Sequence, residues 1–263
     1  MLKGTDYHIH THYLKCADET MTVEAVIRKC EELGLSSIGF ADHLSVRENY
    51  YQFAYIKRDI AAVDTHLEVF FGAEINLLDG GGEIPYDEPM REAIGLQFAI
   101  GGPHGAYVDH DDRRQIVEIH HRFLCQFAAD PLIDVVVHPW WFGKGEFESK
   151  GFRWFDDMSH VPDELTIEFA ETALKHHTAI EVNPAATYES PNYGERFREE
   201  YKEYIALLND QGVTFALASD AHNINTLGIT RGADAFLQEL GVPDDRIWTP
   251  AKAKGRVMPR REA

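Results

Sequence analysis

Seven short apolar runs recur along the 263-residue chain, and nearly every one stops on a histidine or a carboxylate. The first carries His8 and His10. Ser36 to Phe40 then runs into His43, Leu67 to Ala73 into Glu74, Phe98 to Pro103 into His104, Ile133 to Val137 into His138, and Val213 to Ser219 into Asp220 and His222. Only the sixth run, Ala179 to Val182, ends on a neutral polar residue, Asn183. Successive ends lie 30 to 45 residues apart, which suits a strand, a helix and two loops. A parallel βα barrel gathers the carboxyl ends of its strands at one rim, so residues far apart in the chain converge there. Imidazoles and carboxylates brought together in that way are what divalent metal ions bind.

Between the runs the periodicity is helical. Val23, Val26, Ile27, Cys30 and Leu33 form one apolar face, with Gly34 as a stop. Tyr193, Phe197, Tyr201, Tyr204, Ile205 and Leu208 line one side of a helix ending near Gly212. Further helices are expected at Gln52 to His66, Asp111 to Ala129, Asp163 to His177 and Ile229 to Leu240. The alternation predicts an α/β fold, a distorted (βα)7 TIM-like barrel, as a single domain over 1–263 with a basic C-terminal tail at 251–263. Two long connections stand outside the alternation. Leu77 to Pro89 contains Gly80, Gly81 and Gly82 without the Gly-Lys-Ser/Thr ending of a phosphate-binding loop, and reads as a flexible turn. Pro139 to Pro162 holds Trp140, Trp141, Phe142, Phe147, Phe152, Trp154 and Phe155, and reads either as a cover for the active rim or as an aromatic cluster anchoring an insertion.

The net charge of −19 opposes binding to nucleic acid, whose readers present a basic face. Cys16, Cys30 and Cys125 show no paired spacing, which points to a reducing compartment, by default the cytoplasm. No run approaches a membrane span and no secretory signal is expected.

His8 and His10, two residues apart, share one face of a strand and can chelate one ion. A lone His-x-His is weak evidence, but His43, Glu74, His104, His138, Asp220 and His222 all occupy the same kind of position. The ordered series Asp6-Tyr7-His8-Ile9-His10-Thr11, Asp42-His43, Glu74, His104, His138-Pro139 and Ser219-Asp220-Ala221-His222 closely resembles the PHP (polymerase and histidinol phosphatase) family. The resemblance implies a seven-unit distorted barrel holding two or three divalent ions, zinc, manganese or iron. It assigns His8, His10, Glu74 and Asp220 to the first ion, Glu74, His104 and His138 to the second, and His43 and His222 to the third, with Glu74 bridging. A further ligand to the third ion is expected from the loop after the first strand. Spacing favours Asp18, with His12 and Cys16 as substitutes.

Three divalent ions outweigh the charges of Asp18, Glu74 and Asp220, so the occupied pocket is cationic inside an acidic protein and suits an anionic substrate. The expected chemistry is hydrolysis of a small phosphomonoester, such as histidinol phosphate, a nucleotide or a sugar phosphate, by a metal-bridging hydroxide held by Glu74 and Asp220. Asp6, Asp42 and Ser219 are candidate partners for the ligating side chains. Asn183, Arg153 and Arg231 are candidate substrate contacts, with a turn before Pro184 as the ordinary role of Asn183 and solvated surface charge as that of the arginines. Two other readings compete. Amidohydrolase-like barrels, which cleave C–N or C–O bonds, also open with His-x-His but commonly carry Lys where this chain has His104. The third reading is a metal-holding regulatory module without turnover.

Overall fold

The computed structural model describes residues 4–254. Its strands are β1 (Thr5–Ile9), β2 (Ser37–Phe40), β3 (His43–Leu44), β4 (Glu68–Ile75), β5 (Phe98–Gly101), β6 (Val135–Val136), β7 (Ala179–Val182) and β8 (Phe215–Leu217). All pair in parallel, neighbour to neighbour in chain order. β2 and β3 are successive pieces of one barrel position, since both lie along β4, so the sheet has seven positions. A bridge between Ile9 and Ala221 brings the last position back to the first, through His10 N–H to the Ala221 carbonyl at 3.1 Å. The barrel is therefore nearly closed.

Strands buried on both faces must be apolar almost throughout, which is why the chain shows continuous short runs here. One set of alternating residues packs under the helices: Ile38, Phe40, Phe71, Ala99, Val136, Ile180 and Phe215. The other set fills the interior: Tyr7, Phe98, Ile100, Val135, Ala179 and Ala216, with Trp248. Phe98 occupies the axis because Gly39 and Gly72 leave it room; a Cβ on Gly72 would meet its ring at 2.5 Å. Trp248 stands edge-on to Tyr7 and Phe98 at 5.6 and 5.8 Å, and its backbone N–H donates to the Phe215 carbonyl at the start of β8. It forms the floor, which leaves the opposite, C-terminal end of the strands open as a mouth.

The helices follow the expected faces. α1 (Val23–Glu32) starts at Thr22, whose side chain accepts from Ala25 N–H, and buries Val23, Val26, Ile27 and Cys30. α2 (Phe53–Ala62), α4 (Arg113–Ala129), α6 (Asp163–His176), α7 (Glu195–Gln211) and α8 (Thr230–Glu239) fall in the expected windows. α7 stops at Gly212 in the left-handed region, as a helix C-terminus favours. Tyr193 precedes α7 and stacks on Phe197 at 3.5 Å.

Two short helices went unforeseen. α3 (Glu88–Ile94) is capped by Asp87, carries Pro89 in its first turn and begins inside the connection read as a flexible turn. α5 (Lys144–Lys150) lies within the aromatic insertion. That insertion is anchored: Trp140, Phe142, Phe147 and Phe155 are buried, and Phe142 stacks on Phe155 at 4.4 Å. The first residues of the expected basic tail are docked too. Lys254 N–H donates to Asp134, and Arg91 donates to the Lys254 carbonyl at 2.7 Å. Arg256, Arg260 and Arg261 lie outside the described residues. Among the described residues, no helix is long and apolar enough to cross a membrane.

Candidate metal centre

β1 carries His8 and His10 to the mouth on one face, with their Nε2 atoms 3.0 Å apart. Asp220, just past β8, sets its Oδ1 2.9 Å from His10 Nε2 and 3.4 Å from His8 Nε2. Glu74, near the end of β4, is fully buried and faces five imidazoles. Its Oε2 lies 2.7 Å from His43 Nδ1, 3.3 Å from His8 Nε2 and 3.5 Å from His10 Nε2. Its Oε1 lies 2.8 Å from His104 Nε2 and 3.2 Å from His138 Nε2. His8 and His10 are buried, whereas His43, His104, Asp220 and His222 keep 21 to 36% of their side chains exposed, so the centre opens on one side only.

Three groups of donor atoms lie within 4.8 Å of one another: His8, His10 and Asp220; His43, Glu74 and His104; and His10, Cys16, His43 and His222. Within them Glu74 Oε2, Asp220 Oδ1 and His43 Nδ1 are buried without a hydrogen-bond partner, as is His138 Nδ1 beside them. A buried polar atom left unpaired costs about 1–3 kcal/mol, more when charged. Buried carboxylate oxygens and imidazole nitrogens that converge without hydrogen-bond partners have one common remedy, a cation. The donor set therefore fits divalent ions that accept mixed nitrogen and oxygen ligands.

The local field is strong. Burial opposes charge on Glu74, but His43, His104 and His8 hold its carboxyl well below the ordinary range. Burial also opposes the His8 imidazolium, which Asp220, Glu181 and Glu74 nevertheless sustain well above its usual pKa. His43 follows the same pattern, raised to about 9 against its burial by Glu74 and then Asp220. His10 is lowered to about 3, chiefly by burial, with His43 and His222 adding repulsion.

Several features hold these side chains in place. His138 and Asp220 adopt positive φ, 26° and 52°, a conformation costing non-glycine residues about 1–3 kcal/mol and concentrated at functional sites. His104 Nδ1 donates to the Gly102 carbonyl at 3.0 Å, and His222 Nδ1 to the Asp220 carbonyl at 2.8 Å, which puts the ring proton on Nδ1 and the lone pair on Nε2; the Asn76 amide lies 3.4 Å from His104 Nε2. The expected partners Asp6, Asp42 and Ser219 brace backbone instead of imidazoles. Asp6 accepts from the N–H groups of His8 and Ser219, and Asp42 from the N–H and hydroxyl of Thr11. Burial pushes both carboxyls up to about 7.

The imidazole partner is Glu181, which the sequence reading missed. From the middle of β7 its Oε1 accepts from His8 Nδ1 at 2.6 Å and its Oε2 from His138 N–H at 2.6 Å. The clue was a carboxylate inside the four-residue run Ala179 to Val182. Charge is seldom fully buried unless paired.

The remaining expected residues are placed as follows. Asp18 is exposed. Its Oδ1 accepts from Thr20 N–H at 2.8 Å and its Oδ2 from the Asn223 amide at 3.3 Å, so it is absent from the three donor groups, whereas Cys16 is in one. His12 Nδ1 donates to the Met21 carbonyl at 3.3 Å. Asn183 is buried; its Oδ1 accepts from Ala186 N–H, making the turn, while its Nδ2 has no partner. Arg153 is exposed and pairs with Asp156 at 3.9 Å. Arg231 must be corrected. It donates to the Leu33 carbonyl beside Gly34, where α1 ends and the chain turns toward β2, at the floor end and away from the mouth. Trp141 is instead at the mouth, its ring 5.2 Å from that of His138 and 6.1 Å from that of His104.

Relatives share the length of this chain. A probable phosphatase of Enterobacter sp. (strain 638) is 24% identical over 242 residues, covering 91% of this chain and 87% of its own. A probable phosphatase of Caldicellulosiruptor saccharolyticus is 26% identical over 253 residues, covering 90% and 89%. The crystal structure of a candidate histidinol phosphatase from Listeria monocytogenes superposes with a TM-score of 0.62 at 15% identity, over 88% of this chain and 99% of its own, which establishes the shared fold. Residues 6–217 match the PHP domain, a span that runs from within β1 to the end of β8, and the chain belongs to that family.

Proposed function

We propose that the protein is a metal-dependent phosphoesterase that hydrolyses a small phosphomonoester. The observation that carries the reading is Glu74, a buried carboxylate shared among five imidazoles, one of whose oxygens has no hydrogen-bond partner. His8, His10, Glu74 and Asp220 would hold one divalent ion, Glu74, His104 and His138 a second, and His43 and His222 a third. Zinc, manganese or iron suits these donors. Bound there, such ions supply Lewis acidity, lowering the pKa of water and neutralising phosphoryl oxygens.

The residues of the chain do the rest. Glu74 keeps its charge at any working pH, because the surrounding imidazoles outweigh its burial. Asp220 also stays ionised: burial opposes its charge, but His8, with His10 and His222, more than compensates. Its partly exposed carboxylate accepts a hydrogen bond from the attacking water and orients it toward phosphorus. Glu181 holds His8 and the His138 backbone, so the buried wall does not rearrange as charge develops. Trp141 gives the mouth an apolar edge that limits water access beside the reacting group.

The test is hydrolysis by purified protein loaded with manganese, zinc or iron, with elemental analysis alongside. An aryl phosphate, an aryl ester and a lactone are compared, followed by a panel of small phosphomonoesters. Phosphate release lost in both His10→Ala and Asp220→Ala is expected. Turnover of the ester or lactone alone would favour C–O chemistry, and silence of the loaded protein across the phosphate panel would leave only a metal-holding module.

A further inference from the structure

We propose that Cys16 supplies a thiolate ligand to the third metal position, together with His43 and His222, and that this position therefore prefers a thiophilic divalent ion such as zinc over manganese or magnesium. The inference rests on the metal-centre reading above and chooses Cys16 over Asp18 and His12 among the loop candidates, where the PHP pattern itself expects Asp or His.

The loop geometry brings the sulfur inward. After β1 the chain makes a short 3-10 turn at His12–Leu14, capped by the Thr11 side chain, and reverses at Lys15, which is left-handed at φ 58°. Cys16 is exposed as a residue, yet its Sγ lies 3.9 Å from His10 Nδ1. The donor atoms of Cys16, His10, His43 and His222 all lie within 4.8 Å of one another. His10 turns its Nε2 toward Asp220 and His8, and its ring stacks on His222 with centroids 4.1 Å apart. It thus forms the wall between two positions, leaving Cys16, His43 and His222 as donors on the outer side. Metal–sulfur and metal–nitrogen bonds of about 2.3 and 2.0 Å in a tetrahedral site put sulfur and nitrogen donors about 3.5 Å apart, so only a small contraction is needed.

Asp18, the carboxylate expected in this place, has another task. Its side chain is taken by Thr20 N–H and Asn223, while its backbone N–H donates to the His222 carbonyl at 2.8 Å. Asp18 thereby ties the Cys16 loop to the segment that bears His222. The position adjoins a second donor group through His43, which also lies with Glu74 and His104. In that adjoining group His43 Nδ1 and fully buried Glu74 Oε2 face each other at 2.7 Å without a hydrogen-bond partner. Thiolate ligands favour zinc and iron over manganese and magnesium, so replacing an oxygen donor by sulfur changes which ion the position selects. On binding, the thiol proton leaves to solvent and a sulfur–metal bond forms, with no change of oxidation state.

The experiment uses full-length protein stripped by chelator and titrated with cobalt(II), with zinc-loaded samples for X-ray absorption. The expected result is a near-ultraviolet sulfur-to-cobalt charge-transfer band of one-thiolate intensity and one sulfur in the zinc shell. Both should be lost in Cys16→Ser and kept in Cys125→Ser. Cys16→Asp should shift the zinc-to-manganese preference toward manganese by about tenfold or more, the scale on which ligand-sphere changes act. Stoichiometric cobalt binding without the band, or a band that survives Cys16→Ser, overturns the thiolate ligand while leaving the rest of the centre intact. Failure to bind cobalt at all overturns the metal-centre reading itself and this inference with it.

Discussion

Glu181→Gln probes the centre without emptying any space. In the native protein the carboxylate accepts twice, from His8 Nδ1 and from the His138 N–H, at 2.6 Å each, and the site is fully buried. An amide of the same shape accepts through one atom and donates through the other. The His138 N–H can only donate, so it claims the amide oxygen, and the amide NH2 is left facing His8 Nδ1. His8 must then accept at Nδ1 and carry its proton on Nε2, the atom that lies 3.0 to 3.4 Å from His10, Glu74 and Asp220. The lone pair that a metal would use is lost. A charge-assisted hydrogen bond contributes about 1.5–3 kcal/mol. At about 1.4 kcal/mol per tenfold, that is roughly ten- to a hundredfold in metal affinity, the range seen for outer partners of ligating histidines. Chelator-competition titration with zinc or manganese measures the affinity, and nitrogen NMR of the His8 ring reports the tautomer. Wild-type affinity in Glu181→Gln, with His8 Nε2 unprotonated in the metal-loaded variant as in the metal-loaded native protein, would refute the reasoning. Glu181→Ala is the poorer probe, because two buried donors left unpaired would lower stability by about 1–3 kcal/mol each and confuse binding with folding.

Other outcomes follow from the same geometry. Metal uptake should release protons, because against burial Glu74 and Asp220 hold the His43 imidazole up at about 9, and Asp220, Glu181 and Glu74 hold that of His8 well above its usual value, whereas both must be neutral to ligate. Apparent affinity should therefore climb as pH rises toward about 9; calorimetric heats independent of the buffer's ionisation enthalpy would contradict this. Glu74→Gln should lose both metal content and phosphate release, which elemental analysis and a phosphatase assay check together. Gly72→Ala should lower stability by about 1–3 kcal/mol through overpacking against Phe98, whereas Gly145→Ala, with nothing within 4 Å of the added methyl, should leave the thermal midpoint nearly unchanged. Arg231→Ala, at the floor of the barrel, should leave kcat/KM for any phosphomonoester untouched; a rise in KM would bring that residue back toward substrate.

Much of this molecule was readable from residue order because its determinants are local. A strand end is marked where an apolar run stops, and a residue there points to the mouth by virtue of the strand's own direction. The two-residue period alone sets His8 and His10 on one face. Thus Glu74, His104, His138 and Asp220 could be located without knowing how the strands pack. α3 and α5 escaped because seven-residue helices burying one or two side chains leave no periodic trace. Glu181 escaped because its meaning depends on neighbours across the barrel: the same carboxylate is an oddity in β7 until His8 and the His138 backbone arrive beside it. Between Asp18 and Cys16, distance along the chain could not choose. Two residues in an irregular loop reverse direction at Lys15, and only the fold decides that the carboxylate faces Asn223 while the sulfur faces His10. The linear chain determined which groups reach the mouth; the tertiary structure decided which of them meet, since contacts between loops and across the barrel are set by packing that no local period encodes.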